Sequence, residues 1–434
     1  MGTPPPFALP GIPASVLEQL VQAAGDDRLA LVGGAVRDLL LHRVHNDPWR
    51  GVPDLDLVVE PAGTPVGEAR PTLGSLPPAH RLARSLGQRV GPAVVKGCLE
   101  HGAYGTVELE LELEQGPLLL DVATARRESY PVAGENPQVS FGSLEDDLAR
   151  RDFTINAMAL LLSGEPTPPL LDPHGGQIDL VRRQLRFLHA ASVRDDPTRI
   201  LRGARYAARM GFALAPASLE QLRDTLARWP WRWQPGDPPA LAPPALGTRL
   251  RMELDLLLER ESWPLALAAL QAWGALLLLD VALQDDRGWG RRLAWAGRLG
   301  LPLMAALLVV AGDPLALAER LQLPHRQHRL LAQFLELHSR LRAAGADPAG
   351  APGWLPSRWC ALLEAPGISA EAVALALAAG MGPRRPLLRW WLRWRHLRSP
   401  IAAEQLIAEG VRPGPALGAR LRQLRAERLD RERI

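Results

Sequence analysis

Residues 107–114 read Val-Glu-Leu-Glu-Leu-Glu-Leu-Glu. Successive side chains of a strand point to opposite faces, so strict alternation predicts a half-buried strand with one apolar and one acidic face. Gln115-Gly116-Pro117 predicts the turn after it, and Leu118–Val122 the next strand. Upstream, the apolar Leu29–Val32 runs into Gly33-Gly34 and the helical stretch Ala35–Leu41, a strand–turn–helix pattern, and Leu55–Val59 is a short apolar strand. The period of two then ends. From about Ser192 onward apolar residues recur every three or four positions, with no convincing strand. Met252–Leu283, Leu301–Arg342, Ser369–Leu397 and Ala402–Arg433 read as helices broken at Gly and Pro. This change of period predicts an α+β chain: a mixed-sheet N-terminal part followed by an all-helical remainder.

Charge follows the same division. Residues 1–200 hold 18 basic and 26 acidic residues, a net of −8, while residues 201–434 hold 32 and 21, a net of +11. Residues 384–434 alone carry 13 basic against 5 acidic. Lys96 is the only lysine, so 49 of the 50 basic residues are arginine. A basic helical half suits a polyanion such as nucleic acid and an acidic half suits metal ions; the plain alternative is a coding bias toward arginine carried on solvated helices. Cys98 and Cys360 are too few for a disulfide scaffold, which predicts a reducing, cytoplasmic setting. The N-terminus lacks the basic flank and apolar core of a secretion signal. The longest apolar runs fall short of the roughly 20 residues that cross a bilayer, so no membrane association is expected. Twelve of the 13 tryptophans follow residue 228. At helical spacing most are expected in the core, and the Trp- and Pro-rich stretch 229–244 reads as a linker.

Four constellations carry chemistry. Gly33-Gly34 opens a helix whose N-terminal amides suit an anion, with Arg37 one turn in. Asp54 and Asp56 sit two apart on a strand and so project side by side; such a pair favours a cation between them, Mg²⁺ where the chemistry is on nucleotides, with an exposed strand end as the plain alternative. Asp121 is a candidate third carboxylate. Arg150-Arg151-Asp152, fed by the acidic stretch Leu144–Leu148, is the third, with helix capping as the plain alternative. In the fourth, Asp195-Asp196-Pro197 precedes Arg199, Arg202, Arg205 and Arg209, which line one helix face. Capping by Asp196 explains the aspartate and the proline but not the arginine stripe.

GGAVRD, DLDLVV, LDVATARRESY, LEDDLARRDFTINAMAL, DPHGGQIDL and DDPTRILRGARYAARMGF occur in the order found in bacterial class II tRNA nucleotidyltransferases and poly(A) polymerases. The chain resembles that family, within the DNA polymerase beta-like nucleotidyltransferase superfamily, strongly over residues 29–212 and more weakly over Thr248–Leu279 and the tail Leu406–Leu429. The resemblance implies a catalytic head (1–165), a neck with a nucleotide-recognition helix (166–247), a helical body (248–350) and a tRNA-binding tail (351–434). It implies that Asp54 and Asp56 are catalytic and bind Mg²⁺. Gly34, Arg37, Arg151, Asp196, Arg199, Arg202 and Arg205 would bind the nucleotide, with Asp196 and Arg199 offering a Watson–Crick-like edge to the base. The implied reaction is attack of a tRNA 3′-OH on ATP or CTP without a nucleic-acid template, adding CCA, CC or A.

Two departures stand out. The span from His42 to Gly51 is longer than the family pattern and is expected to form a loop near the site. Asp195 stands where Glu is commoner. The segment Glu128–Ser143 reads as the loop in which family members differ in what they add. The competing readings are a poly(A) polymerase on general RNA, a catalytically inactive RNA-binding protein and a transferase acting on a small molecule. Intact Asp54, Asp56, Arg151 and Arg199 oppose the second of these, and the basic helical half opposes the third.

Overall fold

In the computed structural model the described residues are 9–49, 51–52, 54–62, 76–102, 105–162, 168–345 and 353–431. The Pro-rich lead-in up to residue 8, Arg50, and the expected boundary between 350 and 351 lie outside them. The chain divides into two compact units, residues 1–231 with 265–273, and residues 232–264 with 274–434.

The first unit is built on a seven-stranded mixed sheet. Its strands are β1 (Arg28–Val32), β2 (Asp54–Glu60), β3 (Val95–His101), β4 (Thr106–Leu113), β5 (Gly116–Thr124), and, after the hairpin strands β6 (Arg126–Ser129) and β7 (Gln138–Phe141), β8 (Ala159–Leu162) and β9 (Leu170–Leu171). The order is β3-β4-β5-β2-β1-β8-β9, with β2 and β5 parallel and the other neighbours antiparallel. The alternation predicted at 107–114 holds: Val107, Leu109 and Leu111 are buried and Glu108, Glu110 and Glu112 exposed. The turn after it is shorter than expected. Glu114-Gln115 alone makes it, and Gly116 already belongs to β5 with φ +117°, a conformation open to glycine.

Helix α1 (Ala14–Ala24) precedes the sheet, α2 (Gly34–His45) leaves β1, and α3 (Pro78–Val90) precedes β3. The long span after Arg37 is not all loop, because α2 runs on to His45. Asp47 then pairs with Arg183 through two contacts of 2.6 Å. Helix α4 (Leu144–Ala149) starts with a capping box, in which Ser143 Oγ accepts from the Asp146 amide and Asp146 accepts from the Ser143 amide. Leu144 and Leu148 of α4 pack on Ala30, Val32, Val58 and Ala159 of the sheet. Further along are α5 (Gly176–Val181), α6 (Ser192–Asp195), α7 (Thr198–Met210) and α8 (Pro216–Arg228). Beyond Ser192, where no strand was expected, Ala213–Leu214 pairs in parallel with Gln184–Leu185. Two residues cannot display a period.

No strand occurs among the described residues of the second unit. The predicted stretch 301–342 resolves into Leu303–Leu308, Pro314–Arg320 and His325–Ala343, each starting at or directly after a proline, which lacks the amide to continue a helix. The Trp-rich stretch is mostly irregular and spans the boundary between units. Trp231 is buried in the first unit, where its indole donates to the Arg194 carbonyl at 3.0 Å. Trp233 is buried in the second, 5.0 Å from the guanidinium of buried Arg320. None of the twelve tryptophans after residue 228 is exposed, as core packing requires.

Candidate active site

Asp54 and Asp56 open β2, while Leu55 and Leu57 between and after them are buried. The aspartates therefore share the face opposite the core. The parallel register with β5 sets Asp121 directly beside Asp56. Asp54, Asp56 and Asp121 each place a carboxylate oxygen within 4.8 Å of the others. Three hard oxygen donors with concentrated negative charge fit a small divalent cation. Burial pushes Asp56 up to about 6, against the pull of Arg151, and Asp54 and Asp121 add to the rise. Burial, Asp54 and Glu108 also raise Asp121. A bound cation would reverse this repulsion.

Beside the cluster lies a cavity of about 320 Å³ lined by Asp56, Glu108, Asp121, Arg150 and Arg151. The backbone reaches this site at Gly33, which has φ +70°. A Cβ there would stand 2.9 Å from Asp56 Oδ2 and 3.1 Å from Arg151 Nη1, so a side chain at this backbone conformation would be strained and would displace one of these groups. Gly33 thus makes the close approach, and Gly34, singled out from sequence, is the first residue of α2 behind it.

Arg151 is held by Asp147, whose Oδ2 accepts from Arg151 Nη2 at 2.9 Å. Asp147 is fully buried, and its Oδ1 also accepts from Arg150 Nε at 2.9 Å and Nη2 at 2.7 Å. Burial alone would raise Asp147, but Arg151 and Arg150 outweigh it and hold the carboxyl below its ordinary range. Arg150 Nη1 continues to Glu128 of β6 at 3.1 Å. The Arg150 carbonyl accepts from Arg199 Nη2 at 2.7 Å, which ties the start of α7 to the segment after α4. Nε of Arg151 and Nη1 of Arg199 are buried without a protein partner. Such donors fit an incoming acceptor, a phosphate oxygen or a base edge.

Asp196 caps α7 as the plain reading held: its Oδ1 accepts from the Thr198 amide at 3.1 Å and the Thr198 hydroxyl at 2.7 Å. Arg202 Nη1 lies 3.4 Å from Asp152 Oδ2, and Arg205 is half-buried one turn on. Arg37 is the residue placed differently from expectation. It is buried, its Nε and Nη2 engage Asp38 at 2.8 and 3.0 Å, and its Nη1 donates to Asn156 at 2.8 Å. Asn156 in turn donates to Asp152 at 2.9 Å. Arg37 thus joins α2 to the 152–156 segment, and it reaches a nucleotide only by leaving these partners.

The sequence reading missed Gly33 as the close contact, Asp147 as the anchor of both arginines, and Glu128 as the next member. Two signals were present. Asp147 stands three and four residues before Arg150 and Arg151, helix spacing for a shared partner. Arg126, Glu128 and Tyr130 alternate, so they share one face of a strand. The segment after Glu128, expected as a loop, is a hairpin pairing Arg126–Ser129 with Gln138–Phe141.

Comparison with known proteins agrees with this geometry. A family model described as the poly(A) polymerase head domain matches residues 29–186. A CC-adding tRNA nucleotidyltransferase of Deinococcus radiodurans is 35% identical over 415 residues, covering 94% of this chain and 87% of that protein. An A-adding tRNA nucleotidyltransferase of Aquifex aeolicus is 39% identical over 199 residues, 46% of this chain and 20% of that protein. Among solved structures, a CCA-adding enzyme in its apo form II superposes with a TM-score of 0.67 at 24% identity, covering 96% of this chain and 93% of the other. A Thermotoga maritima CCA-adding enzyme complexed with tRNA superposes with a TM-score of 0.62 at 24% identity, over 96% of this chain and 92% of the other.

Proposed function

This chain belongs to the tRNA nucleotidyltransferase family, and from that membership we propose that it adds cytidylate to the 3′ end of tRNA from CTP, without a nucleic-acid template. The observation that carries the choice of C is coverage. Likeness to the CC-adding relative runs along nearly the whole chain, whereas the match to the A-adding relative covers less than half of it. CCA addition, A addition from ATP and poly(A) synthesis on general RNA are the other outcomes of the test below.

In this reading Asp54 and Asp56 hold Mg²⁺, with Asp121 as a third ligand. Bound there, Mg²⁺ supplies Lewis-acid activation of the 3′-OH and charge neutralisation on the departing pyrophosphate. The protein supplies the rest. Arg151, fixed by Asp147, neutralises the triphosphate, and the Gly33-Gly34 turn lets backbone amides approach it. Asp196 accepts and Arg199 donates, which presents a mixed edge to the base. Arg202 and Arg205 complete the nucleotide site. Arg37 acts indirectly, by locking α2 against Asn156. Residues 1–165 serve as head, 166–247 as neck, 248–350 as body and 351–434 as the tail that grips tRNA.

Among the described residues no helix is long and apolar enough to cross a membrane, and both cysteines are free. Relatedness to a tRNA-processing enzyme supports a cytoplasmic setting.

The test is incorporation of each labelled NTP, with Mg²⁺, into tRNA ending before CCA, after C and after CC. C addition on the first two substrates is expected. Addition of A to the third shifts the reading to CCA. Long A tails on unrelated RNA without C addition would replace it with poly(A) synthesis, and no incorporation anywhere would overturn it.

A further inference from the structure

Glu128 lies on β6 with its side chain only 8% exposed. Its Oε1 takes Arg126 Nη2 at 3.0 Å and Arg150 Nη1 at 3.1 Å, and its Oε2 accepts from the Tyr130 hydroxyl at 3.1 Å. Two guanidinium groups therefore converge on one buried carboxylate. Burial depresses Arg126, and the neighbouring Arg150 adds to the fall. Arg150 has two further jobs, at opposite ends of the nucleotide site. Its guanidinium shares Asp147 with Arg151, the cation beside Asp56. Its carbonyl accepts from Arg199, next to Asp196. Tyr130 closes the circuit, since burial, Glu128 and Asp196 together push its hydroxyl upward, and Asp196 and Arg199 lie within electrostatic reach of it. The tip of the hairpin is bonded to the same place, for the Gly134 amide donates to the Asp195 carbonyl at 3.2 Å.

We propose that Glu128 is a positioning residue that holds Arg199 and Arg151 in one fixed relation through Arg150, so that base choice and transfer rate both depend on a hairpin residue outside the nucleotide site. The inference rests on the assignment of Arg199 to the base and Arg151 to the triphosphate. Its physical content is the charge balance. With Glu128 neutralised, Arg126 and Arg150 face each other without the shared anion, and repulsion displaces Arg150 from the two contacts it maintains. Arg199 then loses the carbonyl that orients it, and Asp147 loses one of the two cations that fix its approach to Arg151.

The experiment uses the full-length chain with Mg²⁺ and unmodified CTP, ATP, UTP and GTP. Equilibrium binding of each nucleotide and single-turnover incorporation into tRNA are measured for the wild type, Glu128→Gln and the double variant Arg126→Gln/Glu128→Gln. Gln is isosteric with Glu, so the fold is kept and only the charge is lost. The ratio of binding constants for the preferred nucleotide over UTP is expected to fall about tenfold in E128Q, the scale of one charge-assisted hydrogen bond, with a similar fall in transfer rate. Removing the opposing charge in the double variant is expected to restore both to within about threefold, a rescue that simple damage to the fold would not give. The proposal is overturned if E128Q keeps its base ratio within twofold of wild type, whether or not the rate falls, or if the double variant is worse than E128Q. Failure of the wild type to extend any tRNA would overturn the functional reading instead, while the base ratio in binding still decides the role of Glu128.

Discussion

Arginine does two different jobs in the two units. In the first, Arg37, Arg150, Arg151 and Arg199 are buried or nearly so, and each is bonded to a named carboxylate, amide or carbonyl. In the second unit's last 51 residues, Arg384, Arg385, Arg389, Arg398, Arg412, Arg420 and Arg422 are exposed. Buried guanidinium groups form a rigid, permanently charged fork, suited to one phosphate or one base edge. Exposed ones form a diffuse field that salt screens over about 8–10 Å, suited to a long polyanion. Net charge conceals this, because the arginines of the first unit are outnumbered by its carboxylates.

The contrast can be broken by substitution. Asp54→Ala is expected to lower incorporation by about a thousandfold or more while tRNA affinity stays within about twofold, since removal of charge stabilisation at the reacting centre costs on that scale. A matched loss of affinity would mean that the first unit also carries the grip on RNA. Asp147→Ala leaves two buried guanidinium groups without their shared anion, and about 3–5 kcal/mol of stability should disappear in denaturant unfolding. The exposed pair Arg228–Asp224, at 3.0 Å, should give less than about 1 kcal/mol in the same assay. Equal losses would erase the distinction between buried and exposed arginine.

The pH dependence follows from Asp56. Its carboxyl is raised to about 6 in the folded chain from an ordinary 3.8, so the folded form holds its proton more tightly than the unfolded one. Without a cation, the stability this group contributes is full below about pH 4 and is lost as pH rises through about 6. Cation binding needs the ionised form, so apparent Mg²⁺ affinity should weaken about tenfold per pH unit below 6 and level off above it. Titration calorimetry between pH 5 and 8 reads this directly, and a flat profile would contradict the buried environment of Asp56. Truncation after residue 383 should cause the gentlest change, a weaker tRNA complex with a shallower dependence on salt and an intact mononucleotide site. An unchanged slope would make the tail arginines an ordinary solvated face.

Local patterns were legible where neighbours in sequence are neighbours in space. The pair Asp54 and Asp56 needed only the two-residue period of a strand, and the arginine face of α7 only the helical one. Asp121 joined them through the strand register with β2, which the sequence suggested but could not set. The partners of Arg37 were hidden for a matching reason. Its partner Asn156 lies 119 residues away, so nothing nearby showed that its donors were already spent. The hairpin after Ala125 hid behind a segment rich in Pro, Gly and Asn, where strands of four residues are too short to show a period. Gly34 was singled out from sequence, whereas the backbone sets Gly33 beside Asp56.

The division of labour is tested most directly by following C addition to tRNA across a range of salt, separating tRNA affinity from the transfer rate at saturating tRNA. A field of exposed arginines gripping RNA and a buried, paired set performing transfer predict that affinity falls steeply with salt while the saturated rate stays nearly level. A saturated rate that falls as steeply as affinity would contradict it.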